Sequence, residues 1–310
     1  MSAVDAARNT WARARVAGLR LRHVDLRSAL ATVGESSAAL DAPLSVNCVV
    51  FSKDRAMQLD ACLRSIARLA PYDGPIFVLY RATSPAFAES YRLLARETHE
   101  RVRLVAERDS FKRDVLSLID AETKYTVFHT DDDVFFRSPP NIPVLPPGFA
   151  AFSLRLGENT TRCYTINRAQ DIPTFARNGP FIGWRWPAAR DDFSYPMSLD
   201  GHIFHTGLLL RLLGHARFTN PNQLEDELYR RRYRAPSAML AFRESCVLSL
   251  PVNVVSSTHR NRSGDEAALS AQALNARFLD DERIDLDAMD FSEVRGAHQE
   301  VPLAFRKRTS

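Results

Sequence analysis

Apolar and polar positions along the chain follow two spacings. Short apolar runs at residues 46–51, 76–80, 102–106 and 125–128 are rich in β-branched and aromatic residues and end in polar loops, so they read as buried strands. Between them, apolar residues recur at helical spacing. Leu59, Cys62, Leu63, Ile66 and Leu69 follow the first run, residues 86–98 the second, and Val115, Leu116, Leu118 and Ile119 fall within 109–120. Asp54 stands just before the first of these helices and is a candidate N-cap. Strands alternating with helices predict right-handed βαβ crossovers and a sheet that is largely parallel in this half.

The pattern changes at residues 138–148, where Pro139, Pro140, Pro143, Pro146, Pro147 and Gly148 carry the chain across the surface. Four segments follow: a basic N-terminal extension at 1–44, an α/β half at 45–138, a second half at 139–262 and a C-terminal tail at 263–310. The second half opens with a strand at 149–156. A long aromatic and polar stretch follows, and then a second strand-like run at 247–255. Asn220 caps a predicted helix, Pro221 takes its first position, and acidic residues lie near its start, where the helix dipole favours them. The tail carries a short helix at 267–278.

With 310 residues, 45% of them hydrophobic and 25% charged, the chain can bury a substantial core and is not of a disordered class. The net charge of +4 fits small anionic substrates or an anionic membrane surface, and is too slight to argue for nucleic acid, which is not expected as a partner. Cys48, Cys62, Cys163 and Cys246 lie far apart, with neither a disulfide framework nor a zinc spacing, as in a reducing compartment. No apolar run approaches the roughly 18 residues of a membrane span, and no secretory signal is evident, so a cytoplasmic setting is expected. Residues 1–40, with Arg8, Arg13, Arg15, Arg20, Arg22 and Arg27, read either as a solvated surface helix or as a basic amphipathic helix on the inner face of a membrane.

The chemistry concentrates where the strand at 125–128 runs into Asp131, Asp132 and Asp133. Three adjacent carboxylates repel one another and are costly to bury unpaired, so a cationic partner is expected. Oxygen donors from short side chains suit Mg²⁺ or Mn²⁺, which complete their shells with water and substrate phosphates. A solvated acidic turn is the plainer alternative. Position at the carboxyl end of a strand in an α/β sheet, where ligands gather, favours a site.

A strand with a polar loop, two further βα units, and an apolar strand ending in Asp131, Asp132 and Asp133 resembles the nucleotide-sugar half of GT-A glycosyltransferases, over residues 46–136. The stretches 193–205, 220–232 and Ala297-His298-Gln299-Glu300 are similar to bacterial, family-2-like glycosyltransferases. The resemblance implies a Rossmann-like mixed sheet flanked by helices, with an acceptor-binding second half. It implies a metal-dependent transfer of sugar from a nucleotide-diphosphate sugar to a carbohydrate or other hydroxyl acceptor. Asp133 would hold the metal, with Asp131 or Asp132 on the ribose or a metal-bound water. His259 would be a further ligand. Ser52, Lys53, Asp54 and Arg55 would hold the base and ribose, with Arg81 and Lys112 as further donor contacts. Asp226, or else Glu225, would be the base of an inverting reaction. Trp184, Trp186, Tyr195, Asp200, His202 and His205 are the acceptor-side candidates, because aromatic faces pack on sugar rings and Asp or His bonds hydroxyls. Two alternatives stand beside this reading. A metal-dependent nucleotidyltransferase would ordinarily carry a glycine-rich loop after the first strand, and residues 52–55 contain no glycine. A non-catalytic nucleotide-sugar-binding module would keep the fold without turnover.

Overall fold

The computed structural model describes residues 25–37, 43–255 and 267–308; His259 and the basic segment 1–24 lie outside them. The first apolar run becomes β1 (Leu44–Lys53), buried on both faces from Val46 to Ser52. A strand covered on both faces needs apolar side chains at successive positions, hence the continuous run. It leads into α2 (Ala56–Leu69), and the remaining crossovers give β3 (Ile76–Arg81), α3 (Pro85–Glu97), β4 (Val102–Ala106), α4 (Phe111–Ser117) and β5 (Tyr125–Thr130). Ser84 and Ser110 cap α3 and α4 by accepting from Phe87 N–H and Arg113 N–H. From the N-terminal extension, α1 (Leu26–Ser37) docks on the far edge of the sheet, burying Leu30 and Val33.

β1 pairs in parallel with β3 on one side and with β5 on the other, and β3 pairs in parallel with β4. Chain order therefore reverses between β1 and β5. A crevice opens outside the carboxyl ends of strands at such a reversal. The register aligns Phe51 with Thr130, which sets Ser52 and Asp131 side by side at that crevice.

Beyond β5 the sheet turns mixed. β12 (His202–His205) runs antiparallel to both β5 and β7 (Phe149–Ser153); β13 (Ala238–Phe242) is parallel to β7; β11 (Phe181–Arg185) and β10 (Ala176–Asn178) close the edge in antiparallel fashion. The fold is thus α/β, with one large mixed sheet, 10-stranded among the described residues, running unbroken across both halves of the chain and flanked by helices. One face of β1 sends Cys48 and Val50 into a core with α1, α2 and α7 (Ala271–Leu279). The other sends Val49 and Phe51 towards α4, α5 (Thr206–Leu213) and α6 (Pro221–Arg231). The expected strand-like run at 247–255 is a short strand only over Val247–Ser249, which pairs with Asp133–Phe135. Residues 251–255 instead extend along the crevice.

Two backbone conformations place the site. Gly201 has φ +67°, and its N–H donates to the Phe128 carbonyl, fixing Asp200 beside the end of β5. Asp54 adopts φ +56° without being glycine. It is not a helix cap: its two carboxylate oxygens accept from Thr83 N–H and Thr83 Oγ1, both at 2.7 Å, and Arg55 becomes the N-cap residue with no side-chain cap of its own. The left-handed turn at Asp54 swings Arg55 back over the carboxylate triplet. Asp54→Ala is expected to lose about 2 kcal/mol, from the two bonds and the greater strain of alanine at positive φ, and Asp54→Gly about half of that. Denaturant unfolding of both variants checks this; equal losses would show that backbone strain is not involved.

Candidate functional site

Arg55 is the cation that the triplet lacked in sequence. Its guanidinium donates to Asp131 Oδ1 at 3.0 Å and to Asp132 Oδ2 at 3.3 Å, while Nε donates to Asn253 Oδ1 at 2.9 Å and Nη2 to the Asn253 carbonyl. Asp131 Oδ2 also accepts from Ser52 Oγ at 2.8 Å and Lys53 N–H at 3.2 Å. Burial nevertheless pushes the Asp131 carboxyl up to about 6, with Arg55 opposing that rise and Asp132 adding to it. Lys53 Nζ donates to the Val255 carbonyl at 3.0 Å, so the loop after β1 ties residues 253–255 across the crevice.

Asp133 points away from Arg55. Alternation along an extended segment would put Asp131 and Asp133 on one side and Asp132 on the other, but residues 131–132 form a turn, so Asp131 and Asp132 share Arg55 and Asp133 faces His129. Its Oδ2 meets His129 Nδ1 at 2.9 Å and its Oδ1 accepts from Ser249 Oγ at 2.6 Å, while His129 Nε2 lies 2.9 Å from the Tyr72 hydroxyl. This chain is buried beneath the crevice, and Asp133 does not line it. Burial raises the Asp133 carboxyl, helped by Asp200 and opposed by His129.

The crevice is a cavity of about 1020 Å³ reaching from Ser52, Lys53, Arg55 and Arg81 on the β1 side to Asp200, His202 and Glu225 on the other. Asp200 accepts from Arg155 Nη1 at 2.9 Å and from Thr130 Oγ1 at 3.0 Å, with His298 Nε2 3.5 Å away. Burial would raise its carboxyl, but Arg155 and His298 outweigh that and hold it well below the ordinary carboxylate range. Glu225, one turn into α6, accepts from Ser198 Oγ and Leu199 N–H, both at 3.1 Å. Burial and the nearby Asp200 charge push it up to about 7. His202 donates from Nδ1 to the Pro196 carbonyl at 3.3 Å, and its buried Nε2 has no hydrogen-bond partner among the described residues. Burial, then Arg155, lowers it to about 3, so the ring stays neutral and Nε2 keeps a lone pair. Tyr195 lies against the Tyr229 ring, centroids 4.6 Å apart.

Other expected positions fall elsewhere. Trp184 and Trp186 are core residues whose indole N–H groups donate to the Phe193 and Pro236 carbonyls. His205 packs against the Tyr125 ring, on the opposite side of β12 from His202. Lys112 donates to the Gly214 and Ala216 carbonyls, away from the cavity. Asp54 and Asp226 do not line the cavity, whereas Glu225 does. Arg155, Ser198 and His298 also belong to the site, beyond the residues expected from the sequence. Arg155 and Ser198 gave no signal beyond polar residues beside apolar runs. His298 falls in the stretch 297–300, which the sequence marks only by its family likeness.

Among the described residues, no three His, Cys, Asp or Glu side chains converge to hold a metal ion. Asp131 and Asp133 spend their oxygens on protein donors, and Asp132, a fifth exposed, is the carboxylate of the triplet most open to the cavity. A closed protein cage for a metal does not fit. An ion held by one carboxylate plus water and phosphate oxygens fits Asp132.

No family model matches the chain. Over 184 residues it is 26% identical to the bifunctional glycosyltransferase pgtA of Dictyostelium discoideum, an alignment covering 51% of this chain and 24% of pgtA, so the chain spans about a quarter of that relative. Among solved structures, the 4-diphosphocytidyl-2C-methyl-D-erythritol synthase of Anaerococcus prevotii aligns over 78% of this chain and 99% of its own, at 10% identity and TM-score 0.38. S. aureus TarS 1-349 aligns over 64% of this chain and 58% of its own, at 12% identity and TM-score 0.38. None of the helices of the described residues is long and apolar enough to cross a membrane.

Removing Arg55 strands two carboxylates. Arg55→Ala is expected to cost about 3 kcal/mol at neutral pH. Because the folded-state value of Asp131 lies above its unfolded value, the folded protein can take up a proton there as pH falls through about 6. The penalty of the variant then shrinks. Urea unfolding at about pH 7 and about pH 5 measures the difference, and a penalty independent of pH would show that the guanidinium is not neutralising Asp131.

Proposed function

We propose that this chain is a glycosyltransferase that moves a sugar from a nucleotide-diphosphate donor to an acceptor hydroxyl. The observation that carries the reading is one cavity with two chemically distinct ends. Lys53, Arg55 and Arg81 stand with Asp131 and Asp132 at one end, and a carboxyl raised to about 7, Glu225, stands at the other. The sequence likeness to a glycosyltransferase supports it, as does the absence of glycine from the loop after β1.

In this reading the donor lies along the carboxyl ends of β1 and β5. Ser52 and Lys53 meet the nucleoside, and the Arg55 and Arg81 guanidiniums face the diphosphate, whose bidentate oxygens suit such forks. A divalent ion held at Asp132 would add neutralisation of the negative charge that grows on the departing nucleotide. Glu225 accepts the proton of the acceptor hydroxyl, whose oxygen forms a bond to the anomeric carbon as the bond to the diphosphate breaks. A base placed across the cavity from the leaving group gives inversion. The unpartnered Nε2 of His202 accepts from an acceptor hydroxyl, and Tyr195 offers it an aromatic face. A base whose proton affinity matches neutral pH contributes typically about 10²–10⁴-fold.

The test is incubation with UDP-, GDP-, ADP- and TDP-sugars, with and without Mn²⁺. Release of nucleoside diphosphate is expected, while pyrophosphate instead would indicate nucleotidyl transfer, and binding without turnover a binding module. Glu225→Gln should reduce the rate at least about a hundredfold, whereas Asp226→Asn should keep most of it. The reverse ranking moves the base to Asp226. Asp132→Asn should weaken nucleotide binding and its response to Mn²⁺, read by thermal stabilisation.

A further inference from the structure

Glu225 and Asp200 face the same cavity and share one hydroxyl. Ser198 Oγ lies 3.1 Å from Glu225 Oε1 and 3.3 Å from Asp200 Oδ2, and it has a single proton to give. Both carboxylates cannot receive it at once. The surroundings are unequal in the same sense. Asp200 is gripped by Arg155 Nη1, Thr130 Oγ1 and His298, and Arg155 Nη1 also donates to Ser198 Oγ. Among the described residues Glu225 has no cation within ion-pairing distance and, besides the shared hydroxyl, only the Leu199 N–H.

We propose that Asp200, held as the anion by Arg155, is a positioning residue that works through Ser198 to keep Glu225 ready to exchange a proton. This rests on the reading of Glu225 as the base. Asp200 then has little capacity left for an acceptor: its Oδ1 serves Thr130 and its Oδ2 serves Arg155 and Ser198. Its expected role in touching the acceptor is replaced by one exerted on the group that does.

The other charged and titratable neighbours leave Asp200 as the principal anion acting on Glu225. Arg155, which donates to Asp200 and to Ser198, stands beside Glu225 through that hydroxyl, and burial keeps the Tyr195 hydroxyl protonated. His298 and neutral His202 lie on the far side of Asp200 and Arg155. On its own helix Glu225 is followed by Asp226, with Tyr229 one turn on. Asp192 bears on Arg155 rather than on Glu225 directly. The packed helix α5 carries one charged residue, Arg211, and the turn after α6 brings Arg232, Tyr233 and Arg234.

The experiment follows the ¹³C resonance of the Glu225 side-chain carboxyl through a pH titration of the full chain, assigned by its absence in Glu225→Gln. No donor or acceptor is needed, so the result is independent of whether the transferase reading holds. Asp200→Asn should lower the proton affinity of Glu225 by at least about tenfold, because a like charge is removed and Ser198 can then give its proton to Glu225 alone. Ser198→Ala should raise it, because the hydroxyl that stabilises the ionised form is lost while both charges stay. Asp200→Glu should restore the wild-type midpoint. Opposite movements in the first two variants separate this pairing from general loosening of the site. Ser198→Ala decides the matter if Asp200→Asn does not fold, since it leaves the Arg155–Asp200 pair intact. An unchanged midpoint in Ser198→Ala, or shifts of the same sign in both variants, would overturn the proposal. If nucleotide release is found, its rate should fall off at lower pH in Asp200→Asn than in the wild type, while the donor KM changes little.

Discussion

The contact between Arg55 and the paired carboxylates of Asp131 and Asp132 is the constraint around which the site is organised. Two adjacent anions at the end of a buried strand cannot stand without a counter-charge, because the desolvation cost would move a proton onto one of them or open the loop. Arg55 supplies that charge and also reaches Asn253, so one side chain joins the loop after β1, the end of β5 and the segment following β14 (Val247–Ser249). A guanidinium suits this position better than an ammonium, since its planar fork meets several acceptors at once. In the proposed reading the same fork is the group that would meet the diphosphate.

That arrangement depends on backbone geometry at two points where a strand ends. Asp54 leaves β1 in a left-handed conformation, secured by Thr83 at the end of the neighbouring β3, and Gly201 enters β12 at positive φ beside Phe128. Both lie next to residues that line the cavity without lining it themselves. Strain concentrated next to a site is retained only where the surrounding structure over-determines it. Here the parallel ladders on both sides of β1 do so.

The two ends of the cavity solve the problem of buried charge differently. Near β1 the carboxylates outnumber the cation that binds them, and the balance is met by sharing Arg55 and by hydrogen bonds from Ser52 and the Lys53 N–H. Near α6 the buried guanidinium of Arg155 pairs with Asp200 and bonds Ser198 and His298, which leaves Glu225 under-compensated. Under-compensation is costly for stability and useful for proton transfer at neutral pH, which is why such groups cluster where chemistry is done. Below these sites, His129 and Ser249 satisfy Asp133, so the third carboxylate of the triplet braces the floor.

The α/β half was legible in the residues because its strands are covered on both faces. Continuous apolar runs such as 125–128 and the helical spacing from Leu59 to Leu69 follow from local geometry alone, and the observed β5 (Tyr125–Thr130) and α2 begin within a few residues of those expected. The sequence likewise marked the Asn220 cap and the acidic triplet, since capping and charge repulsion act over a few residues. It did not determine which carboxylate of Glu225 and Asp226 faces the cavity, nor that Trp184 and Trp186 are core residues, because those depend on how a helix or strand is rotated against the rest of the sheet. The partners of the buried charges lay furthest from view. Arg155 meets Asp200 across 45 residues and Arg55 meets Asn253 across 198, and only the packing of the whole sheet brings such pairs within the few ångströms over which buried charges neutralise one another.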